Sequence, residues 1–460
     1  MMDDNVPGFV SHKKEHAGTT QGAARPKSGK RQGILVFAVV LLAGFLAASF
    51  LAARVASAQQ SIIQTNASTQ FLFGEDALDG DQNILAQYMR INLTPKDKNI
   101  AVSGYGRVWK DFGDPAVQTN DGTGRLYYLY LDYAPAPVVS FRAGRQWVNY
   151  TAGTAVLDGL TANVDLSKVS RAPIGVSLSG GQNVIYTLDG EDTRSDNLFF
   201  GIDVHLVNSM LTQLGLSYVQ TYDESDRAQQ EFGLNFRRTI GPVSPWGEVR
   251  YNRIANLIDE ADLGVDYFPS LALTLKGEYY YFYPQFDATS IYSVFAVDKY
   301  QEGRFEADYN LEQHVSFPVT VFGSFSYQDY DEDSTADVVK LGARVSPAHG
   351  LSLSGDVNSQ EGFAGHLIGF ELDGDYRPAT KLQVNGGVSF ETYRRPIFIT
   401  PLPGETTLSA EQSYYSATSV FLGSYYQLRK SLSIGARLEE DIDPMFSHVT
   451  EGRIMLNYQI

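Results

Sequence analysis

From residue 68 onward, this chain places an apolar side chain at every second position in one segment after another. In residues 304–312 the apolar positions are Phe305, Ala307, Tyr309 and Leu311, and each position between them is charged or carries an amide. Because alternate side chains of a β-strand point to opposite sides of the sheet, such a segment has one apolar face and one polar face. No protein core would accept the polar row. The pattern therefore predicts strands that separate an apolar medium from water.

The order of residue types along one face identifies that medium. In residues 271–283 the odd positions begin with leucines and end with tyrosines: Leu271, Leu273, Leu275, Tyr279, Tyr281 and Tyr283. The outer face of a membrane barrel changes in this way where it passes from hydrocarbon into the aromatic girdle. The same alternation recurs in residues 368–376 and 432–438, with no amphipathic helix of useful length between such segments. We therefore predict an all-β fold, a transmembrane antiparallel up-and-down β-barrel.

The connections between the segments indicate how many strands there are. Tight turns, many of them with proline, are predicted at residues 94–99, 134–137, 168–173, 207–210, 241–245, 267–270, 314–318, 346–350, 377–380 and 429–431. Longer polar connections lie between them at residues 111–123, 182–197, 287–299 and 394–412. Short periplasmic turns and longer extracellular loops are typical of outer-membrane barrels. Ten such turns, with both chain ends in the periplasm, predict about 22 strands, within a range of 18 to 26.

Composition excludes several other classes. Mean hydropathy is −0.19, so the chain is not a bundle of membrane helices. It has no Cys, which excludes disulfides, thiolate metal sites, covalently attached c-type haem and cysteine nucleophiles.

The first 58 residues are predicted to be a cleaved signal peptide, with residues 59–460 forming the barrel. A basic stretch that includes Lys13, Lys14 and Arg31 precedes the apolar run 34–53, and Ala56-Ser57-Ala58 offers the small residues of a cleavage site. The apolar run is long enough to span a bilayer, so an uncleaved inner-membrane anchor is the alternative. Cleavage would leave 29 basic and 50 acidic residues, a net charge of −21. This charge argues against nucleic acid as a partner and is compatible with a lumen that prefers cations.

The barrel pattern resembles that of general bacterial outer-membrane porins over essentially all of residues 68–460. In addition, Phe141-Arg142-Ala143-Gly144-Arg145-Gln146, followed by Leu157-Asp158-Gly159-Leu160, is similar to a hairpin of several large porin-like barrels. The resemblance implies a channel in the outer membrane of a Gram-negative cell for passive diffusion of small hydrophilic solutes or ions, without a cofactor. It also implies that the last strand carries the signal for barrel assembly, in Ile454, Leu456, Tyr458 and Ile460. Ile460 stands where such barrels commonly end in Phe.

Two other classes of large barrel are weighed against this one. A TonB-dependent transporter needs a folded plug domain, and only about ten residues, 59–68, precede the first predicted strand. The alternative function is structural: some barrels of similar design are sheaths around a periplasmic multihaem cytochrome and form a transmembrane electron conduit. One branch of those carries CxxC near its mature N-terminus, which a chain without Cys excludes.

The polar rows supply candidate pore-lining residues. By the alternation these are Arg107, Arg142, Arg237, Glu248, Arg250, Lys276, Glu278, Arg304, Glu306, Asp308, Asp373, Asp375 and Arg437. Opposed rows of opposite charge across a pore would create a transverse field that sets ion preference. The alternative is that these side chains pair along the wall and only keep it hydrated. Arg142 and Arg145 are three residues apart, so they cannot share a face unless a β-bulge lies between them.

One predicted loop, residues 284–298, is unusually apolar. Its residues Ile291, Tyr292 and Phe295 are candidates for a constriction folded into the lumen. Alternatively, the segment packs on neighbouring loops or extends its hairpin.

Sequence motifs do not favour an enzyme or a metal site. The predicted mature chain has five histidines, and none lies near a nucleophile elbow, an HExxH motif or a phosphate loop. The series Asp329, Asp331, Asp333 begins like a calcium loop, but Ser334 and Lys340 occupy the positions that need Gly and Glu. We therefore expect a solvated acidic loop there, and no catalytic chemistry.

Overall fold

The structure is a computed structural model. It describes residues 62–75, 80–95, 99–113, 122–170, 173–187, 190–192, 196–207, 212–223, 225–284, 299–330, 334–362, 365–397, 411–444 and 447–459. The proposed signal peptide lies outside these ranges. Within them, no helix has the length and hydropathy needed to cross a membrane.

Strands dominate the described chain. The first half contains β1 (Ile62–Glu75), β2 (Asp81–Thr94), β3 (Ile100–Asp111), β4 (Gly122–Ala136), β5 (Val139–Tyr150), β6 (Gly153–Asp165), β7 (Ile174–Asn183), β8 (Ile185–Thr187), β9 (Gly190–Asp192), β10 (Leu198–Leu206), β11 (Thr212–Asp223) and β12 (Asp226–Arg238). The second half contains β13 (Val243–Asn252), β14 (Leu257–Tyr267), β15 (Leu273–Phe282), β16 (Tyr300–Asn310), β17 (Val319–Asp329), β18 (Thr335–Ala348), β19 (Leu351–Gly362), β20 (Gly365–Ala379), β21 (Leu382–Ile397), β22 (Glu411–Arg429), β23 (Leu432–Asp443) and β24 (Ser447–Gln459). A single turn of 3₁₀ helix, Leu166–Lys168, follows β6. The first strand thus begins six residues earlier than the alternation predicted.

All strands except β8 and β9 form one closed antiparallel sheet of 22 strands. Each strand pairs with the next along the chain, β7 pairs with β10, and β24 returns to pair with β1, where Ile454 lies opposite Phe71. Closure leaves the sheet without an edge, so its backbone groups are hydrogen-bonded within the wall. The predicted fold class and the predicted strand number are confirmed.

The two rims of the barrel differ, though less than predicted. The strand ends that flank all ten predicted tight turns lie at one rim, the short-turn rim, together with the start of β1 and the end of β24. At the opposite loop rim, long connections follow β3, β7, β15 and β21. Others there are as short as those at the short-turn rim: only two residues separate β5 from β6, β11 from β12, and β19 from β20. Alternation in polarity reveals strands, but not the length of a turn between polar strand ends.

The outer face of the sheet is apolar. Leu129, Phe305 and Leu341 are 51%, 51% and 62% exposed, and further exposed Leu, Val, Ile and Phe side chains surround the barrel at alternating positions. A continuous apolar exterior on a closed sheet with internally paired backbone is the arrangement that a bilayer stabilises. The sheet is therefore a transmembrane wall, and the opposite face of each strand lines its lumen.

Candidate functional site

The inner face of the barrel consists of the positions that alternate with the exposed apolar ones. All thirteen predicted pore-lining residues occupy inner-face positions in the observed strand register: Arg107, Arg142, Arg237, Glu248, Arg250, Lys276, Glu278, Arg304, Glu306, Asp308, Asp373, Asp375 and Arg437. Their neighbours in the ladder show which of them interact.

The most compact group of charges surrounds Arg250 on β13. Its Nε lies 3.4 Å from carboxylate oxygens of both Glu231 and Asp259, and its Nη2 contacts Glu260. Glu231 and Asp259 are only 4% and 5% exposed. The Tyr280 hydroxyl donates a hydrogen bond of 3.3 Å to Glu260. Three carboxylates thus share one guanidinium, which leaves this part of the wall with excess negative charge.

A backbone irregularity explains how Asp259 joins this group. Arg250 pairs with Glu260 and Tyr251 pairs with Ile258, so Asp259 is the additional residue of a β-bulge. The alternation alone places Asp259 on the outer face, and no sequence signal marks the bulge. Glu231, in contrast, alternates regularly with Phe232 and is an inner-face acid that the sequence analysis missed although its signal was present.

More ion pairs continue around the wall. They are Arg237–Asp266 at 3.8 Å, Lys276–Glu278 at 2.7 Å and Arg304–Glu302 at 2.9 Å. Glu248 and Glu306 have no ion-pair partner among the described residues, and Asp308 lies 3.8 Å from Arg344. We call the inner face of β12–β16 the acidic wall, because its carboxylates outnumber its cations.

Arginines characterise another part of the inner face. The Arg107 guanidinium lies 4.1 Å from the centre of the Trp109 ring, and Arg142 combines a 2.7 Å ion pair to Asp132 with a 4.1 Å contact to the Tyr130 ring. We call the inner face of β1–β5 with β23 and β24 the arginine wall; its arginines are Arg90, Arg107, Arg125, Arg142, Arg437 and Arg453. In the circular strand order, β2 and β3 lie halfway round from β15 and β16. The arginine wall therefore faces the acidic wall across the lumen.

The two remaining predicted acids lie on β20. Asp375 is 3.6 Å from Arg377 and accepts a 2.5 Å hydrogen bond from Gln383, whereas Asp373 has no ion pair among the described residues. On the next strands back, Lys340 pairs with Asp356 at 3.0 Å. The carboxylates of β19 and β20 therefore continue the acidic wall beyond β16. Fewer cations accompany them than are found in the arginine wall.

The hairpin of β5 and β6 bends away from the wall into the lumen. At its tip, the Ala152 amide donates a 2.8 Å hydrogen bond to Ser217, and Thr151 accepts one of 2.5 Å from Asn235. Ser217 and Asn235 are inner-face residues of β11 and β12, whereas β6, β7 and β10 separate β5 from them in the sheet. Ser217 is only five residues from the start of β11 at the short-turn rim. The tip therefore reaches the middle of the wall, well below the loop rim.

Apolar packing holds the hairpin in the lumen. Val148, Ala152, Ala155 and Leu157 from the hairpin form a buried cluster with Phe199 of β10 and Val219 of β11, and Tyr150 packs against it. The Tyr150 hydroxyl shares a 2.7 Å hydrogen bond with Ser179 of β7. Burial of one Leu or Val side chain stabilises by about 1.5–3 kcal/mol, so this cluster fixes the hairpin firmly. It is an apolar core inside a lumen whose described lining is mostly polar.

Glycines make room for the bent hairpin. Gly144, where β5 leaves the wall, has a φ of +120°, which side chains disfavour, and a Cβ there would collide with the Leu129 carbonyl. At the docking surface, a Cβ on Gly233 would lie 2.5 Å from the Thr151 carbonyl carbon and would overlap the Ala152 nitrogen. Gly233 thus permits the tip to rest directly on β12.

The sequence predicted a different constriction. Its candidates Ile291, Tyr292 and Phe295 lie outside the described residues, so that prediction stays untested. The residues Phe141–Gln146 and Leu157–Leu160, which carry the resemblance to porin hairpins, belong to the hairpin that does enter the lumen. The sequence analysis missed the low polarity of the inner row of this hairpin. Val148, Ala155 and Leu157 are apolar at positions where other strands carry charged residues.

The register also places the remaining candidates. Arg142 and Arg145 lie on opposite faces, and Arg145 pairs with Asp158 at 2.8 Å. Ile454, Leu456 and Tyr458 occupy the outer face of β24, opposite residues of β1 that close the barrel. Ile460 is outside the described residues.

Comparison with known proteins supports the fold. The structure is similar to a mutant of the ferric enterobactin receptor PfeA from Pseudomonas aeruginosa, with 10% identity and a TM-score of 0.55 over 86% of this chain and 80% of that one. OccAB2 from Acinetobacter baumannii matches with 10% identity and a TM-score of 0.46 over 87% and 98% of the two chains. A BenF-like porin from Pseudomonas fluorescens Pf-5 matches with 9% identity and a TM-score of 0.45 over 87% and 98%. No family model and no curated protein matches the sequence. The closed sheet, its apolar exterior and the likeness to the receptor together show the outer-membrane β-barrel fold.

Proposed function

We propose that the protein is an outer-membrane channel through which small hydrophilic solutes and ions diffuse passively, with a preference for cations. The observation that carries the proposal is the lumen itself. A closed sheet of 22 strands is too wide for its own side chains to fill, and its inner face is charged along most of the wall. The inward hairpin occupies only the part along β7 and β10–β12. No chemical step is needed for this function.

The two charged walls give the channel its preference. Opposed acidic and arginine walls create a transverse field that orients dipolar solutes, while the overall excess of carboxylates raises the local concentration of cations. Single-channel recording of the refolded protein in a planar bilayer tests this proposal. We expect steady conductance. In a salt gradient, the reversal potential should shift toward the equilibrium potential of the cation. A sealed barrel, or one that selects anions, would contradict it.

A charge-neutralising variant makes the preference quantitative. The double variant Glu248→Gln/Glu306→Gln removes two acids that have no ion-pair partner among the described residues. At 0.1 M salt the Debye length is about 10 Å, so we expect the cation-to-anion permeability ratio to fall by roughly two-fold rather than to invert. Asp337→Asn is the matched control, because Asp337 is exposed on the outer face opposite Tyr327. Equal ratios in the double variant and the control would show that lumen carboxylates do not set the preference.

The sheath of an electron conduit stays the alternative hypothesis. The same recordings separate the two functions, since an empty sheath would give large, unstable conductance instead of steady, selective steps. Co-purification of haem with the barrel would favour the sheath. The hairpin that packs on β7 and β10–β12 occupies volume that an inserted cytochrome would need.

We further propose that the barrel is exported after removal of residues 1–58. In support, β1 begins at Ile62, immediately after the Ala56-Ser57-Ala58 site. N-terminal sequencing of protein from the outer-membrane fraction is expected to begin at Gln59. Ala58→Leu should leave the precursor uncleaved in the inner membrane, whereas Gln60→Leu, beyond the site, should be processed normally. An outer-membrane protein that retains Met1 would contradict the proposal.

A further inference from the structure

A cavity of about 700 Å³ lies at the short-turn rim of the arginine wall, where β22–β24 meet β1–β3. Its volume falls in the range of small-molecule sites. Most of its lining side chains are polar and belong to the inner face, among them Asn66, Gln70, Tyr105 and Asn457. The cavity is remote from the Arg250 group, which lies on β12–β14 across the lumen.

The charge of this cavity differs from that of the channel as a whole. Arg90, Arg429, Lys430 and Arg453 line it, whereas no Asp or Glu of the described residues does. None of the four cations forms an ion pair with a carboxylate of the described residues. In a chain with 53 acidic and 36 basic residues, four cations around a cavity that no described Asp or Glu lines form a distinct local environment.

Two other arginines of the same wall are paired with carboxylates, whereas Arg107 and Arg125 contact aromatic rings. Arg142 is paired with Asp132 at 2.7 Å, and Arg437 with Glu439 at 3.0 Å. Glu439 lines the adjoining cavity toward the loop rim, which Arg453 also borders. At the short-turn rim, by comparison, four cations without a carboxylate partner among the described residues line one cavity.

The position of Arg90 favours an oxyanion as the ligand. Its guanidinium lies 5.1 Å from the centre of the Tyr105 ring, a cation–π contact that uses the ring face. The side chain is exposed to the lumen, so its N–H groups are accessible to a ligand. Guanidinium groups bind carboxylates and phosphates through two parallel hydrogen bonds, and the amides of Asn66 and Asn457 can donate further ones.

We propose that this cavity is a binding site for small multivalent oxyanions, carboxylates or phosphates, at the periplasmic mouth of the barrel. Cations on two sides of one cavity favour a ligand with two or more negative charges, which neutralises their mutual repulsion. The site would retain anions at the exit of a channel whose opposite wall repels them. It does not depend on conduction, because binding is measurable whether or not the barrel transports solutes.

Titration calorimetry on the refolded barrel in neutral detergent, with citrate and with inorganic phosphate as probes, tests the site. We expect saturable binding of citrate by the native protein and about hundred-fold weaker binding by Arg90→Gln/Arg453→Gln, because each of the two lost charged hydrogen bonds is worth about ten-fold. Arg142→Gln removes one positive charge from an arginine that already has a partner, and it should bind citrate as the native protein does. Absence of saturable binding, or equal loss in Arg142→Gln, would overturn the proposal.

Two additions complete the test. Arg429→Gln/Lys430→Gln alters only the exposed β22–β23 turn, so it can be tested even if Arg90→Gln/Arg453→Gln fails to refold. This variant should also weaken citrate binding, and unchanged binding would count against the site. Repeating the titration in micelles that contain phosphatidylglycerol distinguishes the source of the ligand. Unchanged citrate affinity supports a soluble anion, whereas competition supports a lipid phosphate at the same donors.

Discussion

Replacement of Gly233 by valine is expected to raise the conductance of the channel. The Cβ and methyl groups of valine would occupy the position of the Thr151–Ala152 peptide, so the tip of the β5–β6 hairpin must leave β12. Displacement of the tip also breaks its hydrogen bonds to Ser217 and Asn235. Because a barrel of 22 strands is too wide for its own side chains to fill, we expect conductance to rise by about two-fold. Single-channel recording in a planar bilayer measures the change.

The control for this variant is Gly303→Val. Gly303 also lies within a strand, on its outer face, but a Cβ there has no atom within 4 Å, so the substitution should leave conductance unchanged. A folded Gly233→Val barrel with native conductance would show that the hairpin does not limit flow.

A disulfide provides the opposite perturbation. The chain has no Cys, so Thr151→Cys/Asn235→Cys would introduce one pair of thiols at the contact between the tip and β12. The oxidised variant is expected to keep native conductance and to show fewer slow fluctuations than the reduced one. Larger conductance after oxidation would contradict a docked hairpin.

The fold could be read from the sequence because the membrane enforces one simple rule. Every strand must turn one face to lipid, so residues such as Phe305 and Leu341 alternate with charged ones, and proline at strand ends marks the turns. The short loop-rim turns, such as Thr151–Ala152, were not predicted, since polar strand ends and polar loops have similar compositions. The β-bulge at Asp259 was not predicted either, because only Leu257 and Ile258 precede it in β14, too few residues to show that the alternation changes phase.

The site was less accessible to sequence reasoning. Alternation places a side chain such as Arg250 on a face, but it does not show which carboxylates from β12 and β14 surround it, because that depends on strand register. The inward hairpin depends on contacts between residues far apart in the chain, such as Ala152 with Ser217. Only the apolar inner row around Leu157 hinted at a core within the lumen, and a row of that kind is equally compatible with a tighter barrel wall.

Replacement of Arg250 by methionine is expected to destabilise the barrel more than replacement of any other lumen arginine described. Arg250 is the only cation in contact with Glu231, Asp259 and Glu260 among the described residues. Glu231 and Asp259 are nearly buried, and Glu231 Oε2 and Asp259 Oδ1 accept no hydrogen bond from a described residue. Removing one partner from a buried ion pair costs about 3–5 kcal/mol. Because the Arg250 side chain is 25% exposed to the lumen, we expect a loss of about 2–3 kcal/mol in the free energy of unfolding.

Urea unfolding of the barrel in lipid vesicles measures this loss, and two further variants establish its cause. Arg142→Met is the matched control: its partner is the single carboxylate Asp132, and both side chains are more than a third exposed, so the loss should be at most about 1 kcal/mol. Adding Glu231→Gln to Arg250→Met removes one of the uncompensated carboxylates and should restore part of the stability, as a coupled pair does in a double-mutant cycle. If the stability losses of Arg250→Met and Glu231→Gln simply add in the double variant, the acidic wall tolerates its excess charge without Arg250. The same follows if Arg250→Met is as stable as Arg142→Met. In that case lumen water, rather than the guanidinium, stabilises these carboxylates.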